Sequence, residues 1–355
     1  MNNSVRTIFF SLVLFCSFAV PSYSQTSVTW KIAETWPKDF PLFGDAVKKM
    51  ISNVDRLSGG KFKIISETKE IHKKPLGIFE LVKDGEYQMG HTASYYWKGR
   101  DVNTLFFTTL PMGMVANEQL AWFYYGGGKE LMEKVYSQYG MLSFPGGNTG
   151  NQMGGWFKKE INTIEDMKGL KMRIPGLAGD VLSSLGVEVT NLPPGELYDA
   201  LKSGKLDALE WVGPSLDLGM KFHEVAKYYY TGWHEPATEL QFLVNEKEFK
   251  KLPKVYQEVL VASMRLAAFD TNVHIYHQSA ENLTKMRQEF PDIQIRSFPS
   301  AMYRKLSEET QRKLDEFAKN GDDLTKEIVQ SIRDYSEKTR LWTRFSDQAY
   351  VNNRF

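Results

Sequence analysis

The sequence predicts an α/β protein of two lobes, with a long helix reaching across both and further helices at the C-terminus. Three observations carry this. Strand-like and helix-like segments alternate from Val28 to Ala93, the pattern of a parallel sheet with helices on its faces. Roughly 330 residues follow an apolar N-terminal segment, more than one core usually serves. The 42% hydrophobic and 13% aromatic residues are enough for two cores. A helical pattern then begins at Pro253 and runs unbroken to Phe290-Pro291; its 37 or so residues extend roughly 55 Å, longer than one small domain.

At the N-terminus, residues 1–24 carry one charge, Arg6, then the apolar run Ile8 to Val20, then Ser22-Tyr23-Ser24, with small residues at the −3 and −1 positions of a cleavage site. A signal peptide is expected there, with the mature chain starting at Gln25, exported and soluble. The run is too short to span a bilayer, and no later stretch approaches 18 unbroken apolar residues. Cys16, the only cysteine, lies inside this segment, so the mature chain has neither a disulfide nor a thiol nucleophile. Phe15 before it argues against a lipid anchor. The 44 basic and 43 acidic residues become 43 of each once Arg6 is removed, so no field of one sign favours nucleic acid or an anionic membrane.

Val28 to Ala33 alternates like a strand and exits into a turn-rich loop, Glu34 to Pro41, carrying Trp36 and Phe40. A helix is predicted over Leu42 to Leu57, with Phe43, Val47, Met50, Ile51 and Val54 on one stripe and Ser58-Gly59-Gly60 as its end. Lys61 to Ser66 is a second strand, Gly77 to Asp84 a second helix, and Tyr87 to Ala93 a third strand. That strand leads into Ser94-Tyr95-Tyr96-Trp97, whose aromatics are either core or pocket wall. One helix is expected over about Asn117 to Tyr139. It contains Gly126-Gly-Gly-Lys129, which is not a phosphate loop, because Phe123 and Glu130 stand where a glycine and a serine or threonine belong.

A second unit starts after Pro145. Gly146 to Phe157 packs five glycines around Asn151 and Gln152, a composition that lets backbone approach a bound group closely. A capped turn over Thr163 to Gly169 precedes a short strand, Lys171 to Ile174, with Arg173 in its middle; a strand arginine is usually a solvated edge residue. A helix over Leu177 to Leu185 and a strand over Val187 to Thr190 follow. Pro193-Pro194-Gly195 then blocks helix until Leu197, Ala200 and Leu201 recur at helical spacing, and Gly204 ends that helix. The chain becomes apolar and extended from Leu206 and delivers Glu210 and Trp211 just before Gly213-Pro214. The carboxyl end of a buried strand is where open α/β sheets place ligand groups, although an ordinary solvated strand end reads the same way.

Two extended segments, Tyr228 to Pro236 and Leu240 to Asn245, are suited to crossing between lobes. The long helix is expected to bury Val259, Met264, Ala267, Val273, Tyr276, Ala280, Leu283 and Met286. Two further helices beyond Tyr303, broken at Asn320-Gly321, carry a stripe of Leu314, Phe317, Leu324, Ile328 and Ile332 with no evident partner in the lobes. A dimer contact or packing onto the chain's own surface would cover it.

Enzymatic signatures are sparse. The mature chain has no cysteine, no G-x-S-x-G elbow, no H-E-x-x-H pair and no dinucleotide fingerprint. Five histidines are scattered singly. His234, between Trp233 and Glu235, is the exception, and Glu210 with Glu235 is a carboxylate pair without a nucleophile.

The motifs Asn151-Gln152-Met-Gly-Gly-Trp-Phe, Gly169-Leu-Lys-Met-Arg173-Ile-Pro-Gly, Leu192-Pro-Pro-Gly-Glu-Leu-Tyr, Gly204-Lys-Leu-Asp-Ala, Glu210-Trp211-Val-Gly-Pro and Gly232-Trp233-His234-Glu235 resemble one family. It is that of the solute-binding proteins of tripartite ATP-independent periplasmic (TRAP) transporters, DctP-like, and especially its subgroup for 2-oxo and 2-hydroxy monocarboxylates. In the first lobe, Met89 to Trp97 matches as well. The resemblance implies the two-lobed periplasmic binding fold with a hinge. It implies that Arg173 holds a substrate carboxylate through two parallel hydrogen bonds, which lysine cannot reproduce. It further implies a cation among Gln152, Glu210, the Trp211 carbonyl and Glu235, with Asn151, Tyr95 or Tyr96, and Trp36 completing the pocket. A cation also answers the repulsion between two carboxylates and an anionic ligand, and an all-oxygen donor set favours Na⁺ or Ca²⁺ over zinc. His234 departs from the family pattern. It either lines the far end of the pocket or faces solvent, and solvent is the expected fate.

The expected organisation is therefore a signal peptide over 1–24, a first lobe over 25–147 with about 237–270, a second over 148–236 with about 271–302, and C-terminal helices over 303–355. The expected function is capture of a small 2-oxo or 2-hydroxy monocarboxylate with a cation, for delivery to a membrane permease, without chemistry and with a homodimer through the C-terminal helices as a further expectation. The rival readings are an exported metal-dependent enzyme acting on a carboxylated substrate, and a ligand sensor for a membrane kinase.

Overall fold

The computed structural model describes residues 26–354. The signal-peptide segment, residues 1–24, lies outside the described residues. Among those described, eleven strands form: β1 (Val28–Glu34), β2 (Phe62–Glu67), β3 (Met89–Thr92), β4 (Met141–Asn148), β5 (Gly155–Phe157), β6 (Lys171–Arg173), β7 (Glu188–Thr190), β8 (Ala208–Leu209), β9 (Tyr228–Tyr230), β10 (Glu239–Asn245) and β11 (Gln294–Arg296).

They make two mixed sheets, ordered β2-β1-β3-β10-β4 and β11-β9-β5-β8-β6-β7. In the first, β1 runs parallel to β2 and β3, as the alternation of strands and helices predicts, and β10 is antiparallel to both β3 and β4. In the second, β6 runs parallel to β7 and β8, and β5 is antiparallel to β8 and β9. The chain passes between the sheets through residues 149–154, again through 231–238, and finally through the helix Lys254–Glu289.

The crossings depend on close backbone approach. A Cβ on Gly232 would stand 1.9 Å from the Gln152 carbonyl oxygen. Gly155, at φ +112°, would place one 2.6 Å from the Leu209 carbonyl oxygen. The glycines of this stretch thus let the chain's own strands meet, a use of glycine that composition alone does not separate from approach to a ligand.

The long helix packs beside β4 and the helix Phe43–Leu57 at one end. At the other, Asn282 Nδ2 donates to the carbonyls of Pro214 (2.8 Å) and Ser215 (3.1 Å), so it spans both sheets. Its buried face is Tyr256, Leu260, Met264, Ala267, Ala268, Thr271 and Ile275. Val273, Tyr276, Ala280 and Leu283 face outward, contrary to the expected stripe. The helix carries apolar residues on two faces, and polar Gln257, Ser263 and Thr271 sit on the buried one, so apolar character alone cannot choose between them.

Two other expectations are revised. The helix expected over Asn117 to Tyr139 is two helices, Ala116–Tyr125 and Gly128–Ser137, because Gly127 adopts φ +87° and a Cβ on Gly128 would meet the Trp122 indole at 2.6 Å. The C-terminal stripe is covered by the chain itself. Ile328, Ile332 and Leu314 are buried, and Phe317 meets Phe106 edge-on at 5.5 Å. The helix Ser300–Asn320 reaches the second sheet's helix Gly176–Ser184 through Glu309 and Ser184. The helix Asp323–Phe345 lies on the first-sheet side, where Thr325 Oγ1 donates to Asn103 and Trp122 Nε1 donates to Ser331 Oγ.

Candidate binding site

Between the sheets, the carboxyl ends of strands from both meet the two crossing segments. From the first sheet come Trp36, just beyond β1, and Tyr95 and Tyr96, just beyond β3; from the second come Arg173 at the end of β6 and Glu210-Trp211 just beyond β8. The crossings contribute Gln152 and Glu235. Strand ends and crossings are the places where a ligand can touch both lobes at once.

Arg173 is not an edge residue. Its strand lies between β7 and β8, and the side chain is 1% exposed. Glu210 N–H donates to the Arg173 carbonyl (3.1 Å), which aligns the two side chains. Arg173 Nη1 donates to the Glu210 carbonyl at 2.8 Å and to Glu210 Oε1, and the guanidinium lies 5.3 Å from the Trp211 ring centroid. Arg173 Nε and Nη2, the pair that forms a planar fork, have no partner. Gln152 Nε2 donates to Thr149 Oγ1 (3.0 Å), leaving Oε1 without a partner. Glu235 Oε2 accepts from Thr238, leaving Oε1 bare, and its carbonyl accepts from Gln152 N–H at 2.9 Å.

Among the described residues eleven buried side-chain polar atoms lack a partner, and six of them are Gln152 Oε1, Arg173 Nε and Nη2, Trp211 Nε1, His234 Nδ1 and Glu235 Oε1. Each such atom costs about 1–3 kcal/mol if left bare. Concentrated in one place, they describe donors for an anion beside acceptors for a cation.

The electrostatics agree. Burial raises Glu210 to about 7, against the pull of Arg173. Burial and then the charge of Glu210 raise Glu235 to about 7. Two desolvated carboxylates beside one arginine are pushed toward their protonated forms, and a positive charge joining them opposes that push. Oxygens or nitrogens of Glu210, His234 and Glu235 lie within 4.8 Å of one another, a spacing that suits a shared cation. Gln152 Oε1, Glu210 and Glu235 are oxygen donors, and these residues fit a hard cation.

A small cavity is lined by Trp36, Tyr95, Tyr96, Gln152 and Trp211, among the residues the sequence singles out. Phe43, Thr149, Val212, Thr238 and Leu240 also line it and carried no signal, since apolar and threonine side chains at such spacings are indistinguishable from core. Arg173, Glu210 and Glu235 are buried and do not line this cavity, and Asn151 is exposed and does not line it either. His234 is fully buried, not solvated, and its Nε2 lies 3.0 Å from Glu210 Oε2. Trp36 is fixed by its Nε1–H donating to His91 Nδ1 at 2.8 Å. Across the cleft, Lys98 Nζ reaches Asp180 Oδ1 (2.6 Å) and the Gly176 carbonyl (3.2 Å).

The bacterial extracellular solute-binding protein family 7, DctP, matches residues 32–320. A monocarboxylate 2-oxoacid-binding periplasmic protein from a Nostoc strain is 41% identical over 265 residues, 73% of this chain and 71% of the relative. A TRAP periplasmic solute-binding protein from Colwellia psychrerythraea, solved with bound calcium and pyruvate, is 56% identical with a TM-score of 0.91, covering 93% of this chain and 100% of that one. One from Pseudoalteromonas atlantica, solved with sodium and pyruvate, is 55% identical with the same TM-score and coverage. A match of this extent, on a fold of two mixed sheets with added C-terminal helices, leaves no place for the rival reading as an enzyme: the chain belongs to the DctP family of bacterial extracellular solute-binding proteins, which serve transport and are not enzymes.

Proposed function

We propose that the protein is the periplasmic subunit of a TRAP-type secondary transporter, capturing a small 2-oxo or 2-hydroxy monocarboxylate of the pyruvate or lactate kind together with Na⁺ or Ca²⁺. The observation that carries this reading is the bare Arg173 Nε/Nη2 fork beside the bare oxygens of Gln152 and Glu235. Relatives bearing pyruvate with calcium or sodium support the same ligand pair.

Arg173 would take the ligand carboxylate on Nε and Nη2 while Nη1 stays on Glu210, so little rearrangement is needed. Gln152 Oε1, Glu210, the Trp211 carbonyl and Glu235 would hold the cation, which supplies the positive charge that two carboxylates and an anion require. Trp36, Tyr95, Tyr96 and Trp211 would exclude water. Asn151, exposed here, would act only at the rim.

The two lobes are taken as 25–147 with about 237–270, and 148–236 with about 271–302, closing by rotation about the crossings and the long helix. Residues 1–24 serve as the export signal. Among the described residues no helix is long and apolar enough to cross a membrane. A membrane permease would receive the ligand. A homodimer is part of the proposal. Leu266, Phe269, Val273, Tyr276 and Leu283 form an exposed row on the long helix, and Trp342, Phe345 and Tyr350 are exposed at the C-terminus. Monomeric proteins seldom leave so much apolar surface bare.

Calorimetry with pyruvate on Arg173→Lys tests the site. A point charge cannot reproduce the planar fork, and the expected loss of affinity is on the order of 100-fold or more. Affinity equal to wild type contradicts the assignment.

A further inference from the structure

His234 is buried at the centre of the site, yet the reading above gives it no task. Its ring is 0% exposed. Nε2 lies 3.0 Å from Glu210 Oε2, while Arg173 Nη1 holds Oε1 of the same carboxylate. An ionised carboxylate only accepts hydrogen bonds, so with Glu210 charged the contact makes Nε2–H the donor.

The two donors on Glu210 differ in origin and in charge. Arg173 comes from the neighbouring strand, holds Glu210 through Nη1 and carries the Nε/Nη2 fork that would face the ligand. His234 comes from the 231–238 crossing, one residue before Glu235. Its bond therefore ties the end of β8 to the segment that carries the second carboxylate, and it fixes the separation of Glu210 and Glu235. A neutral imidazole does this without opposing a cation, whereas a second arginine or a lysine at this place would repel one.

We propose that His234 is a positioning residue for the cation, its Nε2–H holding Glu210 so that the carboxylate presents fixed lone pairs whether or not Arg173 is engaged by the ligand. This inference rests on the anion-plus-cation reading of the site. It is the arrangement by which outer hydrogen bonds orient carboxylate ligands of metal ions generally.

The test compares wild type with His234→Leu, which removes the donor, and His234→Gln, whose amide N–H retains one at similar reach. Ca²⁺, and separately Na⁺, is titrated calorimetrically into chelator-stripped protein at fixed pyruvate, and pyruvate is then titrated at saturating cation. His234→Leu should weaken the cation by about 10- to 100-fold, with pyruvate affinity at saturating cation nearly unchanged, and His234→Gln should recover most of the loss. Should His234→Leu fail to fold, His234→Asn, whose amide falls short of Glu210, replaces it in the comparison. The inference is overturned if the donor-free variant binds the cation like wild type, if Gln restores nothing, or if cation and pyruvate affinities fall together. A wild type that takes neither cation would instead overturn the site reading itself.

Discussion

Arg173 illustrates what a residue's sequence neighbourhood conceals. Within Lys171 to Ile174 it has the spacing of a solvated edge residue, yet its strand is flanked on both sides and the guanidinium is sealed in by Trp211 and Glu210. Only the motif around it, shared with a known family, marked it as the anion ligand proposed here. His234 was harder, because its partner Glu210 is 24 residues away and no local period reports that contact. His91 carried no signal either, although its two bonds fix Trp36: Nδ1 accepts from the indole and Nε2–H donates to the Gly146 carbonyl at 3.0 Å. Burial lowers its pKa from 6.5 to about 4. The unfolded ring takes up a proton as pH falls below 6.5, and the folded ring does not until about 4. The stability His91 permits is therefore full above pH 6.5 and is lost progressively down to about pH 4. Urea unfolding of wild type and His91→Gln at pH 7.5 and pH 5 checks this. Wild type should lose more stability across that interval than the variant, by on the order of 1–2 kcal/mol; equal losses contradict it.

At the scale of elements, the three parallel strands of the first sheet were legible, because alternation and glycine stops dominate between Val28 and Ala93; β4 carried no strand signal, and Leu240 to Asn245, expected to cross between lobes, lies in β10 within the sheet. The long helix was legible in length and not in orientation. Its row Leu266, Phe269, Val273, Tyr276, Ala280 and Leu283 repeats at alternating steps of three and four, the spacing of a helix–helix seam. Phe269 is 65% and Tyr276 79% exposed, so this seam is unmet among the described residues. The stripe on the C-terminal helices, which looked unpartnered, is the one that the chain covers. Both stripes are apolar, and sequence cannot say which of two such faces a protein folds onto itself. A second copy on the outward seam predicts the mass of two chains by light scattering, and the mass of one chain for Phe269→Glu with Tyr276→Glu. Pyruvate affinity should be kept in that variant, since neither side chain lines the cavity. A wild type that is monomeric at all accessible concentrations removes this proposal.

For the whole molecule, the order of elements decides where function can sit. Two sheets exchange the chain through residues 149–154 and 231–238, and these crossings, held together by Gly232 against the Gln152 carbonyl, carry Gln152 and Glu235 into the cleft. A rotation of one lobe on the other would bend the segments that bear these two oxygens, so on the proposed reading closure and cation binding are coupled. Lys98 meets Asp180 across the cleft at 2.6 Å. The central claim is that anion and cation complete each other in this cleft. Calorimetric titration of pyruvate into the wild-type protein tests it directly, first with Ca²⁺ or Na⁺ present and then with chelator in sodium-free buffer. Binding with the cation, and its loss or severe weakening without it, is the predicted result; equal pyruvate affinity in both buffers would contradict the account.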